Sequence, residues 1–324
     1  MTIFSRRQLL VGGALTMAGL PLQAQSYPQR PVRILVGYSP GGPTDIVARM
    51  FAERLARTLG QPVIVENVPG ANGDIAARQM LAQPADGHTL MWAPTAQLVF
   101  NPATQENPRF DPARDFTMIG VACGYAYVAV APNSLPVQDL RQFAAYAKAN
   151  PGKLAYASAG GGTGNHLAGE WINRTAKLDM THVPYKGDAA SVADVVSGNI
   201  ALTFSAPNVA LPLVKAGRLK ALAVSTPKRQ DGLPDVPTMR ECGFDFTMEL
   251  FSGLVGRAGL PEDLVRRLNA VINETARDPE IIERLAKMAH YPMTGTPGNF
   301  HNMVSAQGQR WREFVKTAQM PLVE

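Results

Sequence analysis

Cysteine is nearly absent from this chain, with two in 324 residues. That excludes a disulfide-stapled scaffold and a multi-cysteine zinc or iron–sulfur centre. Histidine is also scarce. His88, His166, His182, His290 and His301 show no metal-ligand spacing, so no metal is expected. Charged residues make only 18% of the chain, and like charges run no further than pairs such as Lys228-Arg229 and Arg266-Arg267. A nucleic-acid reader needs a clustered basic face, which is missing. Several enzyme signatures are missing too. There is no G-x-x-x-x-G-K-[ST] and no H-E-x-x-H. Gly160-Gly-Gly-Thr-Gly-Asn165 lacks the last small residue of a dinucleotide fingerprint, and Ser158 lacks the first glycine of a nucleophile elbow. No cofactor is expected.

Glycine (29) and proline (26) are plentiful, but below the roughly 25–30% that marks low-complexity chains. The length fits two domains at about 150 residues each. Residues 1–24 read as an export address. Arg6-Arg7 precede an apolar stretch from Leu9 to Leu20, and Leu22-Gln-Ala24 ends on a small residue. That stretch is too short for the ~20 residues of a membrane span, and no later segment reaches that length. Ser5-Arg-Arg-Gln-Leu-Leu10 is similar to a twin-arginine signal, with the general secretory route as the alternative. Cleavage near Ala24 removes two arginines and no acid, so the net charge falls from +5 to +3.

After the address, strand and helix patterns alternate. Val32–Val36 is a short apolar run ending in Ser39-Pro-Gly-Gly-Pro43. Val47, Met50, Phe51, Leu55 and Leu59 follow at helical spacing, with Thr44 as the expected N-cap and Gly60 as the stop. Strands 62–68 and 89–93 flank a weakly patterned helix over 73–82, which implies parallel strands with helices on the sheet faces. Residues 101–118 read as a long connection. Met118–Ala131 is long enough to cross between two domains as one extended strand. A second α/β series fills 139–225, residues 227–237 read as loop, and Phe244–Gly256 is the candidate return crossing. The rest is helical. The boundaries expected are 25–122 plus 248–324 for one domain and 123–247 for the other, with a cleft and a hinge between them.

Two segments carry binding chemistry. Tyr38-Ser-Pro-Gly-Gly-Pro-Thr-Asp45 and Ser158-Ala-Gly-Gly-Gly-Thr-Gly-Asn-His166 each follow a strand and open a helix. Glycine lets a ligand approach the backbone, and helix N-termini present unpaired N–H groups with partial positive charge. Either segment alone also reads as an ordinary tight turn. Two at equivalent places in two α/β domains are more specific, because open sheets bind ligands beyond the carboxyl ends of their strands. Cys123 and Cys242 flank the two crossings, so a disulfide and two buried free thiols are both open readings.

With these motifs in order, the chain resembles the periplasmic solute receptors of tripartite tricarboxylate transporters, the Bordetella uptake gene (Bug) family. The resemblance rests on Tyr27-Pro-Gln-Arg-Pro-Val-Arg33, Pro40-Gly-Gly-Pro-Thr-Asp-Ile-Val-Ala-Arg49, Leu59-Gly-Gln-Pro-Val-Ile-Val-Glu-Asn67, Pro69-Gly-Ala-Asn-Gly73 and Ala85-Asp-Gly-His-Thr-Leu90. It continues through Gly160-Gly-Gly-Thr-Gly-Asn-His166, Val183-Pro-Tyr-Lys-Gly187 and Pro234-Asp-Val-Pro-Thr238. It implies a two-domain, type-II-like periplasmic binding protein. Each domain is a sheet flanked by helices, with two crossover strands and a C-terminal helical segment. It implies a monomeric receptor in the periplasm that closes on a small carboxylate and hands it to membrane permease subunits, without catalysis. Residue by residue, it implies ligand contacts from Ser39, Gly41, Gly42, Thr44 and Asp45, from Ser158, Thr163, Asn165 and His166, and from Ser205 and Ala206. Pro43, Gly161, Cys242 and Phe251-Ser-Gly253 depart from the family pattern. The alternative functions are a ligand sensor feeding a two-component kinase and an exported hydrolase.

Overall fold

The computed structural model describes residues 27–230 and 232–322; the export address, residues 1–24, lies outside them. The first lobe begins β1 (Val32–Val36), α1 (Pro43–Leu59), β2 (Val63–Asn67), α2 (Asp74–Leu81) and β3 (Thr89–Pro94). Strand β1 is an unbroken apolar run because it is central, pairing in parallel with both β2 and β3. Helix α1 buries Val47, Met50, Phe51, Leu55 and Leu59 on one face. It ends where Gly60 turns left-handed at φ 68° and its N–H closes on the Ala56 carbonyl. Helix α1 starts at Pro43 with Gly42 as its cap, so Thr44 is inside the first turn and not the expected N-cap. Proline suits the first helical position and sets the start there. The expected connection over 101–118 is partly helical. A π-turn, Ala96–Phe100, runs into α3 (Asn101–Thr104), and α4 (Pro112–Asp115) follows.

Strand β4 (Phe116–Ala126) belongs to the first sheet and β5 (Val128–Pro132) to the second. The exchange falls at Tyr127, a few residues past the expected boundary. The second lobe runs α5 (Leu140–Lys148), β6 (Leu154–Ser158), α6 (Gly164–Thr175), β7 (Met180–Pro184), α7 (Asp188–Val196), β8 (Leu202–Ser205), α8 (Pro207–Lys215) and β9 (Leu219–Val224). The chain then returns through β10 (Glu249–Arg257), α9 (Glu262–Arg277), α10 (Pro279–Lys287), the two-residue β11 (Tyr291–Pro292) and α11 (Pro297–Thr317).

Both sheets are mixed. Their orders are β11-β4-β10-β3-β1-β2 and β7-β6-β8-β5-β9. In the first, β10 is antiparallel to β3 and β4; in the second, β5 is antiparallel to β8 and β9. The connecting strands therefore run against the parallel α/β strands of each lobe. The return crossing is shorter than expected. Only 249–257 is strand, and Phe246 is apolar because it packs on Trp171, with ring centroids 4.4 Å apart.

The two connections meet at Ser225. Its N–H donates to the Tyr127 carbonyl (2.9 Å), and the Tyr127 N–H donates to its hydroxyl (2.9 Å). That hydroxyl donates to the Met248 carbonyl (2.6 Å), and the Met248 N–H returns to the Ser225 carbonyl (2.7 Å). Helix α11 spans the same junction: Trp311 packs edge-on against Phe100 and Phe246. Fully burying such side chains is worth about 1.5–3 kcal/mol each, which holds the lobes in register. Cys123 lies 3.3 Å from the Ser252 hydroxyl and Cys242 lies near the Leu222 carbonyl. Both are free and buried, so the thiol reading of this pair holds.

Candidate functional site

The second glycine loop leads into a helix whose N-terminus is open. Thr163 caps α6 with extended backbone, and its hydroxyl lies 2.6 Å from both the Gly160 carbonyl and Asn165 Oδ1. Asn165 Oδ1 also accepts the Ala159 N–H at 3.2 Å, while the Asn165 backbone N–H faces the Tyr127 hydroxyl. Gly164 lies close against the Phe100 and Tyr127 rings. A Cβ there would sit 2.6 Å from the Phe100 ring and 3.0 Å from Tyr127.

Ser158 and His166 stand behind this loop and not in front of it. The Ser158 hydroxyl is fully buried, engaging Gly160 at 3.1 Å and His182 Nε2 at 2.7 Å. His166 Nδ1 accepts the Gly162 N–H at 3.1 Å, which leaves the proton on Nε2. The His166 and His182 rings stack 4.0 Å apart. Burial, then repulsion from His182, pushes the His166 pKa down to about 4, so the ring is neutral near pH 7. Ser158 and His166, expected to contact ligand, thus bond within and behind the loop. The Ser158–His182 pair is a serine–histidine couple assembled in space, but neither residue borders the cavity described below.

The first glycine loop is closed on itself. Asp45 is buried, and one of its oxygens accepts the Gly41 N–H (2.9 Å) and Arg49 Nε (3.0 Å). The other accepts Asn67 Nδ2 (2.9 Å) and pairs with the Arg49 guanidinium (2.9 Å). Burial raises the Asp45 pKa, but the hydrogen bonds from Arg49, Gly41 and Asn67 outweigh it and hold the carboxyl below its usual range. Gly41 turns left-handed at φ 78°, which aims its amide at Asp45. The Gly42 amide points back to the Ser39 carbonyl at 3.4 Å, and Pro43 has no N–H. Ser39 is exposed. Of the five residues expected to contact ligand from this loop, Thr44 borders a cavity, and Asp45, Gly41 and Gly42 bond within the loop.

That cavity has two compartments where the lobes meet. One, of 160 Å³, is lined by Tyr38, Asn72, Ala96, Asn101, Tyr125 and Tyr127 on one side. Ala159, Gly162, Thr163, Gly164, Asn165, Asp188 and Ala206 line the other. The second, of 120 Å³, shares Tyr125 and Ala206 and adds Pro43, Thr44, Val47, Asn208, Ser252 and His290 among others. Both fall below the roughly 300–1,000 Å³ of drug-sized sites, which suits a small metabolite. No lysine or arginine lines either compartment among the described residues. A larger groove of 620 Å³ runs between α8 and the 286–292 segment and shares Asn208 and His290 with the second compartment. No group of three or more metal-ligating side chains occurs among the described residues.

Thr44, Thr163, Asn165 and Ala206 are the expected residues that reach this cavity. Sequence reasoning missed its tyrosines and Asp188. Tyr125 and Tyr127 flank the strand exchange, so only the tertiary crossing brings them here. Asn72 and Asp188 directly extend or belong to motifs that carried the family resemblance, which is the signal that could have found them. Asn72, left-handed at φ 54°, offers its carbonyl to the Tyr38 hydroxyl and Asn101 Nδ2, both at 3.1 Å. Asp188 accepts the Ser205 hydroxyl (2.9 Å) and the Ala206 N–H (2.8 Å) on one oxygen, with the Ser191 hydroxyl 3.5 Å from the other. Burial raises its pKa against the hydrogen bonds from Ala206, Ser205, Ser191 and Asn165. The Ser205 hydroxyl is thereby spent on Asp188.

A family profile described as "Tripartite tricarboxylate transporter family receptor" (TctC) matches residues 47–320. A UPF0065 protein from the gbd 5' region of Cupriavidus necator is 37% identical over 86% of this chain and 85% of its own length. Protein BugT of Bordetella pertussis is 29% identical over 96% of this chain and 97% of its own. Among solved structures, a Rhodopseudomonas palustris protein with adipate superposes at TM-score 0.80 with 30% identity, covering 90% of this chain and 98% of its own. MatC from the same organism, with bound malate, gives 0.76 at 30% identity, covering 89% and 100%. The periplasmic binding protein BugD gives 0.76 at 31% identity, covering 90% and 99%. The architecture is that of a two-domain periplasmic binding protein.

Proposed function

The chain belongs to the tripartite tricarboxylate transporter receptor family, the solute-binding receptors of Bug type, and from that membership we propose that it captures a small carboxylate between its lobes. The observation that carries this reading is the open N-terminus of α6. Thr163, Gly164 and Asn165 at that terminus line a cavity with no lysine or arginine among its described residues, where a helix end supplies the partial positive charge. Adipate and malate in two related structures are consistent with that chemistry. The ligand is positioned and desolvated, not turned over. It works as an exported monomer in the periplasm, with residues 1–24 as the address. No described helix is long and apolar enough to cross a membrane.

The lobes, 25–122 with 248–324 and 123–247, close about the Tyr127–Ser225–Met248 junction, and the closed form docks on the permease. Tyr127 couples the two events, because it lines the cavity and also belongs to that junction.

A thermal-shift screen over mono- and dicarboxylates, amino acids and aromatic acids tests this. Ligand at 100 times its Kd should stabilise the protein by about 2.7 kcal/mol. Thr163→Val should weaken binding about tenfold with the fold intact. A protein that no carboxylate stabilises, or that converts the stabilising compound, would overturn the reading.

A further inference from the structure

The loops that open α1, α6, α7 and α8 border the cavity, and an amide in two of them already holds a carboxylate of the protein. Asp45 takes the Gly41 amide at the start of α1. Asp188 takes the Ala206 amide at the start of α8, together with the Ser205 hydroxyl. A hydroxyl and a backbone N–H converging at 2.9 and 2.8 Å on one oxygen form the set that would otherwise hold a carboxylate ligand. The first turn of α6 carries no acidic side chain, so its terminus can take an anion from outside.

Asp188 also faces the same 160 Å³ cavity as that terminus. Among the described residues it is the one acidic side chain lining either compartment, and no lysine or arginine offsets it there. The ring of His290, at the far compartment, is held neutral by burial. A ligand with one carboxylate on α6 therefore points its other end toward Asp188 and the Tyr125 and Tyr127 hydroxyls. A second carboxylate there meets like charge in a poorly solvated space and finds the Ala206 amide taken. A protonated amine meets an acceptor of opposite charge.

Resting on the carboxylate reading above, we propose that Asp188 is a specificity-determining residue: it occupies the second anion site from within and selects a zwitterionic amino-carboxylate over a dicarboxylate. The closed site holds one external carboxylate on α6 and one ammonium at Asp188.

The test uses chain-matched ligands in calorimetry and thermal shift, on the whole chain and on Asp188→Asn. β-Alanine, 4-aminobutanoate, 5-aminopentanoate and the α-amino acids represent the zwitterions. Succinate, glutarate and adipate represent the dianions, and butanoate, pentanoate and hexanoate the monoanions. The unaltered chain should bind at least one zwitterion ten times more tightly than its matched dianion. Asp188→Asn should lose at least tenfold for that zwitterion and gain at least tenfold for the dianion. Asp188→Glu, which keeps the charge, should keep the ranking and guards against a variant that merely misfolds. If carboxylates bind but the ranking favours dianions, or does not move in Asp188→Asn, the selector role is wrong while the carboxylate reading stands. If no member of any series binds either protein, the carboxylate reading falls and takes the selector with it.

Discussion

The two glycine loops have the same outline and the same closure, and differ at the first residue of the helix each one opens. Each leaves a strand, turns through left-handed glycine and starts a helix. In the first, Asp45 sits two residues into α1 and reaches back to the Gly41 amide, while Pro43 contributes no donor. In the second, His166 takes the equivalent third position of α6 and accepts the Gly162 amide, while Asn165 stands one place earlier. Asn165 serves the loop in another way. Its Oδ1 receives the Ala159 amide, and its own N–H is left facing Tyr127. The third helical residue thus closes each turn on the amide four places back, but only the second loop keeps an N–H at its first helical position, where Gly164 stands in place of Pro43. Glycine content marks where amides can be exposed; the residue just inside the helix decides whether they are.

The largest effect should come from filling the two turns. Gly164→Ala places a methyl 2.6 Å from the Phe100 ring and 3.0 Å from Tyr127, across the junction of the lobes. It should cost at least a hundredfold in affinity for the tightest carboxylate in a calorimetric panel. Gly42→Ala meets nothing closer than the Ser39 carbonyl at 3.4 Å, at an ordinary φ of −75°. It should change affinity less than threefold. Equal losses would mean that both loops close on the ligand.

Most of the fold was legible in the sequence. Buried strands such as Val32–Val36 announced themselves as apolar runs ended by Pro and Gly, and Gly60 stopped α1 as expected. What failed depended on tertiary partners. Phe244–Met248 is apolar but not strand, because Phe246 packs on Trp171 and Trp311. The site was half legible. Thr163, Asn165 and Ala206 line the cavity, whereas Asp45, Ser158 and His166 serve the loops from behind. Sequence type cannot say whether a polar side chain faces forward or backward across one turn. Asp188 and the tyrosines escaped for a different reason: their neighbours come from other elements.

Acid should separate the two loops next. His166 binds its proton at about 4 when folded and at 6.5 when unfolded. The unfolded chain therefore holds more protons between those values, so stability falls as pH drops from 6.5 toward 4. His182 and His290 shift in the same direction. Asp45, with its folded pKa lowered, loses its contribution only below about 4. Melting temperature against pH should thus show a first decline from these histidines and a steeper one below pH 4. His166→Gln should flatten the first decline and leave the second. An unchanged slope above pH 4 in that variant would contradict the buried neutral imidazole.

The smallest effects distinguish the two serines that open the loops. Ser158 is fully buried, and its hydroxyl is shared by His182 and Gly160. Ser158→Ala leaves the His182 nitrogen without its partner, which should cost about 1–2 kcal/mol in denaturant unfolding. Ser39 is exposed, and it is its backbone carbonyl, not its hydroxyl, that meets the Gly42 amide. Ser39→Ala should stay within about 0.5 kcal/mol, as surface changes usually do. Affinity should fall modestly for Ser158→Ala, through a loosened second loop, and within twofold for Ser39→Ala. A larger loss of affinity from Ser39 than from Ser158 would mean that the exposed first loop, and not α6, reaches the ligand on closure.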